Sequence, residues 1–154
     1  MKTIQRLLLA FVIMLLFGCA TTSTSVQTNN IQAEGIKPYR RVFIEPLKED
    51  EFQVASALTV ELSDMGFELS GKPFEYPIDT DLNVRVSVDG GWDFKRYLQS
   101  LQLQFVAAKS GRIVATTSFY SYGVWLGVRD RRLRLVFNDL RSKQGFPPSK
   151  QFPE

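Results

Sequence analysis

A chain of 154 residues has room for about one domain, which excludes two full cores. Its 44% hydrophobic and 23% charged residues are ordinary for a folded domain and exclude a disordered or fibrous chain. The formal charge of +3 includes Lys2 and Arg6; without that pair, 17 basic residues face 16 acidic ones, too even a balance to gather nucleic acid through a long-range field, so no nucleic-acid partner is expected.

Lys2 and Arg6 precede an uncharged apolar run, Leu7 to Phe17, which has the length of a signal-peptide core and is too short to span a bilayer. The run closes in Leu16-Phe17-Gly18-Cys19, and this tetrad resembles a lipobox. The resemblance implies that Leu16, Phe17 and Gly18 are read by the lipoprotein signal peptidase, that residues 1–18 are removed, and that Cys19 is acylated. Phe17 stands where that family usually carries a small or branched residue. Cys19 is the only cysteine, so it has no disulfide partner within the chain. In Gram-negative lipoproteins an Asp after the acylated cysteine favours the inner membrane; Ala20 is found here, which implies sorting to the periplasmic face of the outer membrane. Each buried acyl methylene contributes about 0.8 kcal/mol, so two or more chains anchor a protein that has no transmembrane helix.

From Ala20 to Asn30 the chain is polar and poor in large apolar residues, and residues 19–38 are expected to form a flexible tether. Such a tether has a root-mean-square span of roughly 25 Å and a limit of about 65 Å. An α/β periplasmic domain is expected over residues 39–145, with a frayed tail at 146–154.

Arg40 to Pro46 reads as a buried strand closed by proline. Asp50 is placed to cap a helix, with Gln53 in the capping-box position and Ala55, Leu58, Leu62 and Met65 on one face before Gly66. A short strand at Phe67 to Leu69 and a proline-bearing loop from Gly71 to Asp79 follow. Leu82, Val84, Val86 and Val88 alternate with polar residues as one strand, after which Gly90-Gly91 is expected to turn the chain. Leu101, Leu103 and Phe105 pattern a further strand, joined through Lys109-Ser110-Gly111 to a hairpin partner carrying Ile113, Ala115, Thr117 and Phe119. Leu133, Val136, Phe137 and Leu140 have helical spacing over residues 129–142, although Leu133, Leu135 and Phe137 alone also fit a strand. The expected fold is α+β, a single mixed or antiparallel sheet with two helices on one face, in the order β-α-β-β-β-β-α.

Behind its lipobox, this order resembles the small α/β domains of envelope lipoproteins of lipopolysaccharide assembly, curli secretion and penicillin-binding-protein activation. The segments Asp89-Gly90-Gly91-Trp92-Asp93-Phe94, Tyr97-Leu98 and Lys109 to Ala115 resemble uncharacterised lipoproteins of this kind. The likeness implies an architecture and a compartment; no activity follows from it.

The chain has no histidine, which removes the usual general base and most zinc sites, and its one thiol is assigned to lipid. Asp79-Thr80-Asp81-Leu82-Asn83 imitates the start of a calcium loop, but Val84 replaces the required glycine and Gly90 the bidentate glutamate. Ser70-Gly71-Lys72 lacks the upstream glycine of a phosphate loop. No catalytic residue, metal or cofactor is therefore expected, and Glu45, Asp89 and Asp93 read as solvated turn charges.

Two patches are candidates for binding, each with a structural alternative: a solvated helix face for the first and core packing for the second. Arg131, Arg134 and Arg141 are expected on the outer face of the last helix, where arginine forks suit anionic lipid, lipopolysaccharide phosphates or an acidic surface. Tyr120, Tyr122 and Trp125 lie in an aromatic segment of a kind enriched at protein interfaces. The resulting expectation is a membrane-held, non-catalytic accessory or structural lipoprotein with an envelope protein as partner. A lipid-, lipopolysaccharide- or glycan-binding module is the alternative.

Overall fold

The computed structural model describes residues 23–71, 79–93, 95–122 and 129–150. Six strands and two helices follow in the order β1 (Ser23–Asn30), β2 (Arg41–Ile44), α1 (Val54–Asp64), β3 (Glu68–Leu69), β4 (Leu82–Asp93), β5 (Lys95–Ala107), β6 (Ile113–Tyr122) and α2 (Arg129–Gln144). They form one mixed sheet, β1-β6-β5-β4-β2-β3, in which β2 runs parallel to β3 and β4 and the other pairs are antiparallel. This is the expected α+β class, with one strand added in front.

The added strand corrects the tether. Ser23 to Asn30 pairs over its whole length with β6, from Ser23 opposite Tyr122 to Asn30 opposite Ala115. Composition misleads here because an edge strand needs few large side chains. Val26 packs against the core beside its cross-strand partner Phe119, and the buried Thr28 hydroxyl donates to that of Thr117 at 2.8 Å. After β1, Ile36 is fully buried. Its N–H donates to Gln144 Oε1 at 3.0 Å, so the domain begins by Ser23 rather than Tyr39.

In α1, Asp50 does cap the helix, its carboxylate accepting from the N–H groups of Val54 (2.6 Å) and Ala55 (3.0 Å). Gln53 departs from the capping-box role: it enters the helix with a left-handed backbone, φ 53°, and no side-chain cap bond. Gly90-Gly91 also departs from expectation. Both glycines lie inside β4, beside a register shift at Asp89/Gly90, and the hairpin runs on until Asp93 faces Lys95. Gly91 lies opposite Tyr97, and a Cβ there would overlap the Tyr97 ring, so the missing side chain is what admits the aromatic.

Leu82, Val84, Leu101, Leu103, Phe105, Ala115 and Phe119 meet Leu58 and Leu62 of α1 and Leu133, Val136, Phe137 and Leu140 of α2 in one core. The described part of the tail, residues 146–150, packs onto the fold, which corrects the fraying expected there. Phe146 packs its ring 5.6 Å from that of Phe67, and Ser149 is buried.

Asp81 ties β2 to the start of β4, accepting from the N–H of Arg41 at 2.9 Å and of Arg40 at 3.3 Å. The Arg41 N–H above all holds this carboxyl below the ordinary aspartate range, helped by the Arg40 N–H and the charges of Arg41 and Lys109 against an opposing desolvation. A lowered folded-state value means stabilisation that is complete above the unfolded pKa of about 4 and is lost as pH falls through the folded value. Asp81→Asn is therefore expected to cost roughly 1 kcal/mol at neutral pH, with the gap from wild type closing below about pH 4, as measured by urea denaturation across pH.

Candidate functional site

The β5–β6 and β1–β6 registers bring four chain segments to one end of the sheet: the start of β1, the end of β6, the β4–β5 hairpin and the first turn of α2. The other end of α2 is pinned far from there, where Gln144 Nε2 donates to Asn30 Oδ1. At the hairpin, Trp92 is 72% exposed, the most exposed of the large apolar side chains described. Behind it the Arg132 guanidinium lies 5.0 Å from the centre of the Tyr97 ring, and Nη1 donates to the Leu98 carbonyl. Burial pushes the Arg132 pKa below the ordinary arginine value, with Tyr97 opposing that shift.

The residues singled out in the sequence divide between places. Leu16, Phe17, Gly18, Cys19, Ala20 and Trp125 lie outside the described residues, as do the side chains of Tyr122 and Arg131. Tyr120 is half-buried on the sheet face opposite Phe119, and its hydroxyl accepts from Gln99 Nε2 at 3.3 Å. Arg134 is half-buried.

Arg141 corrects the expected patch, being 2% exposed and turned inward. Its Nε and Nη2 donate to Glu61 Oε2 at 3.0 and 2.9 Å, and Nη2 also reaches Asp64 Oδ2 at 2.7 Å. Nη1 donates to the Pro147 carbonyl at 2.9 Å, while Ser149 Oγ donates to Glu61 Oε1 at 3.1 Å. This is a lock between α1, α2 and the tail; all its strong groups are committed to one another, which leaves Arg141 out of any surface contact. Arg132, which sequence reasoning passed over, sits four residues before Val136 and eight before Leu140, on the inner stripe of α2. That spacing was the signal.

A separate cavity of about 390 Å³ opens at the carboxyl ends of β2 and β3, walled by Val42, Ile44, Leu47, Ala55 and Leu69. Its two rim carboxylates are engaged: Glu45 accepts from Arg85 Nε at 3.0 Å, and Asp50 caps α1.

No family model matches the chain, and neither does any curated protein by sequence. Solved structures that share its fold include two of PelC. The PelC dodecamer from Paraburkholderia phytofirmans matches with a TM-score of 0.53 at 8% identity, over 81% of this chain and 99% of that one. The L103M form of the same PelC dodecamer matches with a TM-score of 0.50 at 12% identity, over 79% of this chain and 98% of that one. The superpositions show a shared fold along nearly the whole of PelC, and at these identities they show the fold alone.

Proposed function

We propose that this chain is a membrane-anchored envelope lipoprotein, held at the periplasmic face of the outer membrane through acylated Cys19. On this reading it serves as a non-catalytic accessory or structural component by binding another envelope protein. The observation that carries the proposal is the position of the lipobox relative to the fold: Cys19 stands only four residues before Ser23, the first residue of β1. Four residues span at most about 14 Å, so an anchor at Cys19 holds the sheet end against the bilayer instead of letting the domain range over tens of ångströms. The exposed Trp92 at that same end suits an interfacial setting, where tryptophan is favoured.

Assembly supports the proposed role from a second side. PelC, which shares this fold, was solved as a dodecamer, so the architecture is compatible with work done through subunit contacts rather than turnover.

The anchor is tested by Cys19→Ser in the native host with radiolabelled palmitate. Wild type is expected to take up label and fractionate with the outer membrane; the variant is expected to take up none and to accumulate as uncleaved precursor. Unchanged cleavage and unchanged fractionation in the variant would refute the reading. Crosslinking in cells then tests for a defined protein complex.

A further inference from the structure

The first turn of α2 buries a positive charge that no described residue neutralises. Arg132 is 6% exposed; Nη1 has the Leu98 carbonyl, but Nη2 is buried with no hydrogen-bond partner. Among the described residues no carboxylate forms an ion pair with it. A carbonyl and an aromatic face reduce the cost of burying a guanidinium, yet neither supplies the opposite charge that such burial calls for.

A second orphan lies beside it. Ser121 is 1% exposed, and its Oγ likewise has no partner. Tyr120 pairs with Ser100, so Ser121, the next residue of β6, and Leu98, two residues before Ser100 in β5, lie on adjacent strands at the same end of the sheet. The unused hydroxyl and the unused guanidinium N–H thus lie at the same end of the sheet, under the start of a 16-residue helix. Helical side chains lean toward their N-terminus, which directs Arg132 to that end, where the first amide groups have no intrahelical acceptor and carry the positive pole of the helix. Asp139, the nearby acid whose Oδ2 is also unpartnered, is seven residues on, about 10 Å along the axis, too far to serve Arg132.

We propose that Arg132 Nη2, Ser121 Oγ and the first-turn amides of α2 bind the phosphate of a membrane phospholipid head group. An arginine fork, a hydroxyl donor and a helix N-terminus together suit a tetrahedral oxyanion. The location favours a head group as its source: Ser121 pairs with Thr24, five residues from Cys19 and so within about 18 Å of the anchor. The phosphate site itself does not depend on acylation; only the choice of a lipid as the phosphate's source rests on the lipoprotein reading. Gly91 contributes indirectly, since it admits the Tyr97 ring on which the guanidinium lies.

The test uses the full-length protein in a nonionic detergent, titrated with dihexanoyl-phosphatidylglycerol or with inorganic phosphate at fixed ionic strength, with chloride as control. Binding is read from phosphorus NMR line widths and from the unfolding temperature. Saturable binding of the phosphatidylglycerol is expected, weakened about tenfold in Ser121→Ala and more in Arg132→Lys, with circular dichroism unchanged in the serine variant. Cys19→Ser protein should bind it as wild type does, which separates this result from a failure of the anchor. Absence of saturable binding, or wild-type binding in both site variants, overturns the proposal. Binding of inorganic phosphate without phosphatidylglycerol overturns the head-group assignment. If Arg132→Lys does not fold, Ser121→Ala decides.

Discussion

Arg141→Ala is expected to destabilise the protein by roughly 3–5 kcal/mol, a large share of the total for a domain of this size. The loss is not that of a surface ion pair, because the guanidinium is 2% and the Glu61 side chain 1% exposed. Removing the arginine leaves Glu61 buried with the Ser149 hydroxyl as its remaining side-chain partner and strips the Pro147 carbonyl of its donor. The same geometry sets the opposite expectation for a paired exchange. Glu61→Leu with Arg141→Met removes both charges together, and a packed apolar pair commonly matches or exceeds the ion pair it replaces. Urea denaturation of the three proteins checks both halves; a cost below about 1 kcal/mol for Arg141→Ala would show that the pair is not buried as described.

Replacing Ser23–Asn30 with a glycine-serine segment of equal length is expected to cost at least about 3 kcal/mol. A free linker would tolerate the exchange without any change in stability. The eight pairs of β1 with β6, the buried Thr28–Thr117 bond and the Asn30–Gln144 bond would all be lost, and the flank of Phe119 now covered by Val26 would be opened to water. Denaturant midpoints of the two proteins distinguish these outcomes.

Legibility followed the strength of the periodic signal. The alternation in Leu82 to Val88 and Leu101 to Phe105, and the helical row Leu133-Val136-Phe137-Leu140, are long apolar patterns, and each became the element it announced. The polar strand β1 carries little such signal, because its stability comes from pairing with a partner about a hundred positions away. Glu61 and Arg141 were hidden for a related reason. Both lie on the apolar rows of their helices, Glu61 beside Leu62 and Arg141 four residues after Phe137, and a charged residue is read as outward unless its partner is known. Gly90-Gly91 reads as a turn by composition alone; only the cross-strand ring of Tyr97 shows why the backbone stays extended there. At the candidate site, the spacing of Arg132 from Val136 and Leu140 marks it as inward, but what its guanidinium meets there depends on the packing of the helix on β5 and is not written in the sequence.

The pairing of the first strand with the sixth also has a consequence in time. Its partners lie about a hundred positions apart, Ser23 against Tyr122, whereas β4, β5 and β6 meet through short hairpins. Local contacts close early and distant ones late, so the central meander is expected to form while the opening segment is still seeking its edge. Until nearly the whole chain has been made, no complete sheet can exist, and β6 remains an open edge to which a strand of another chain could pair.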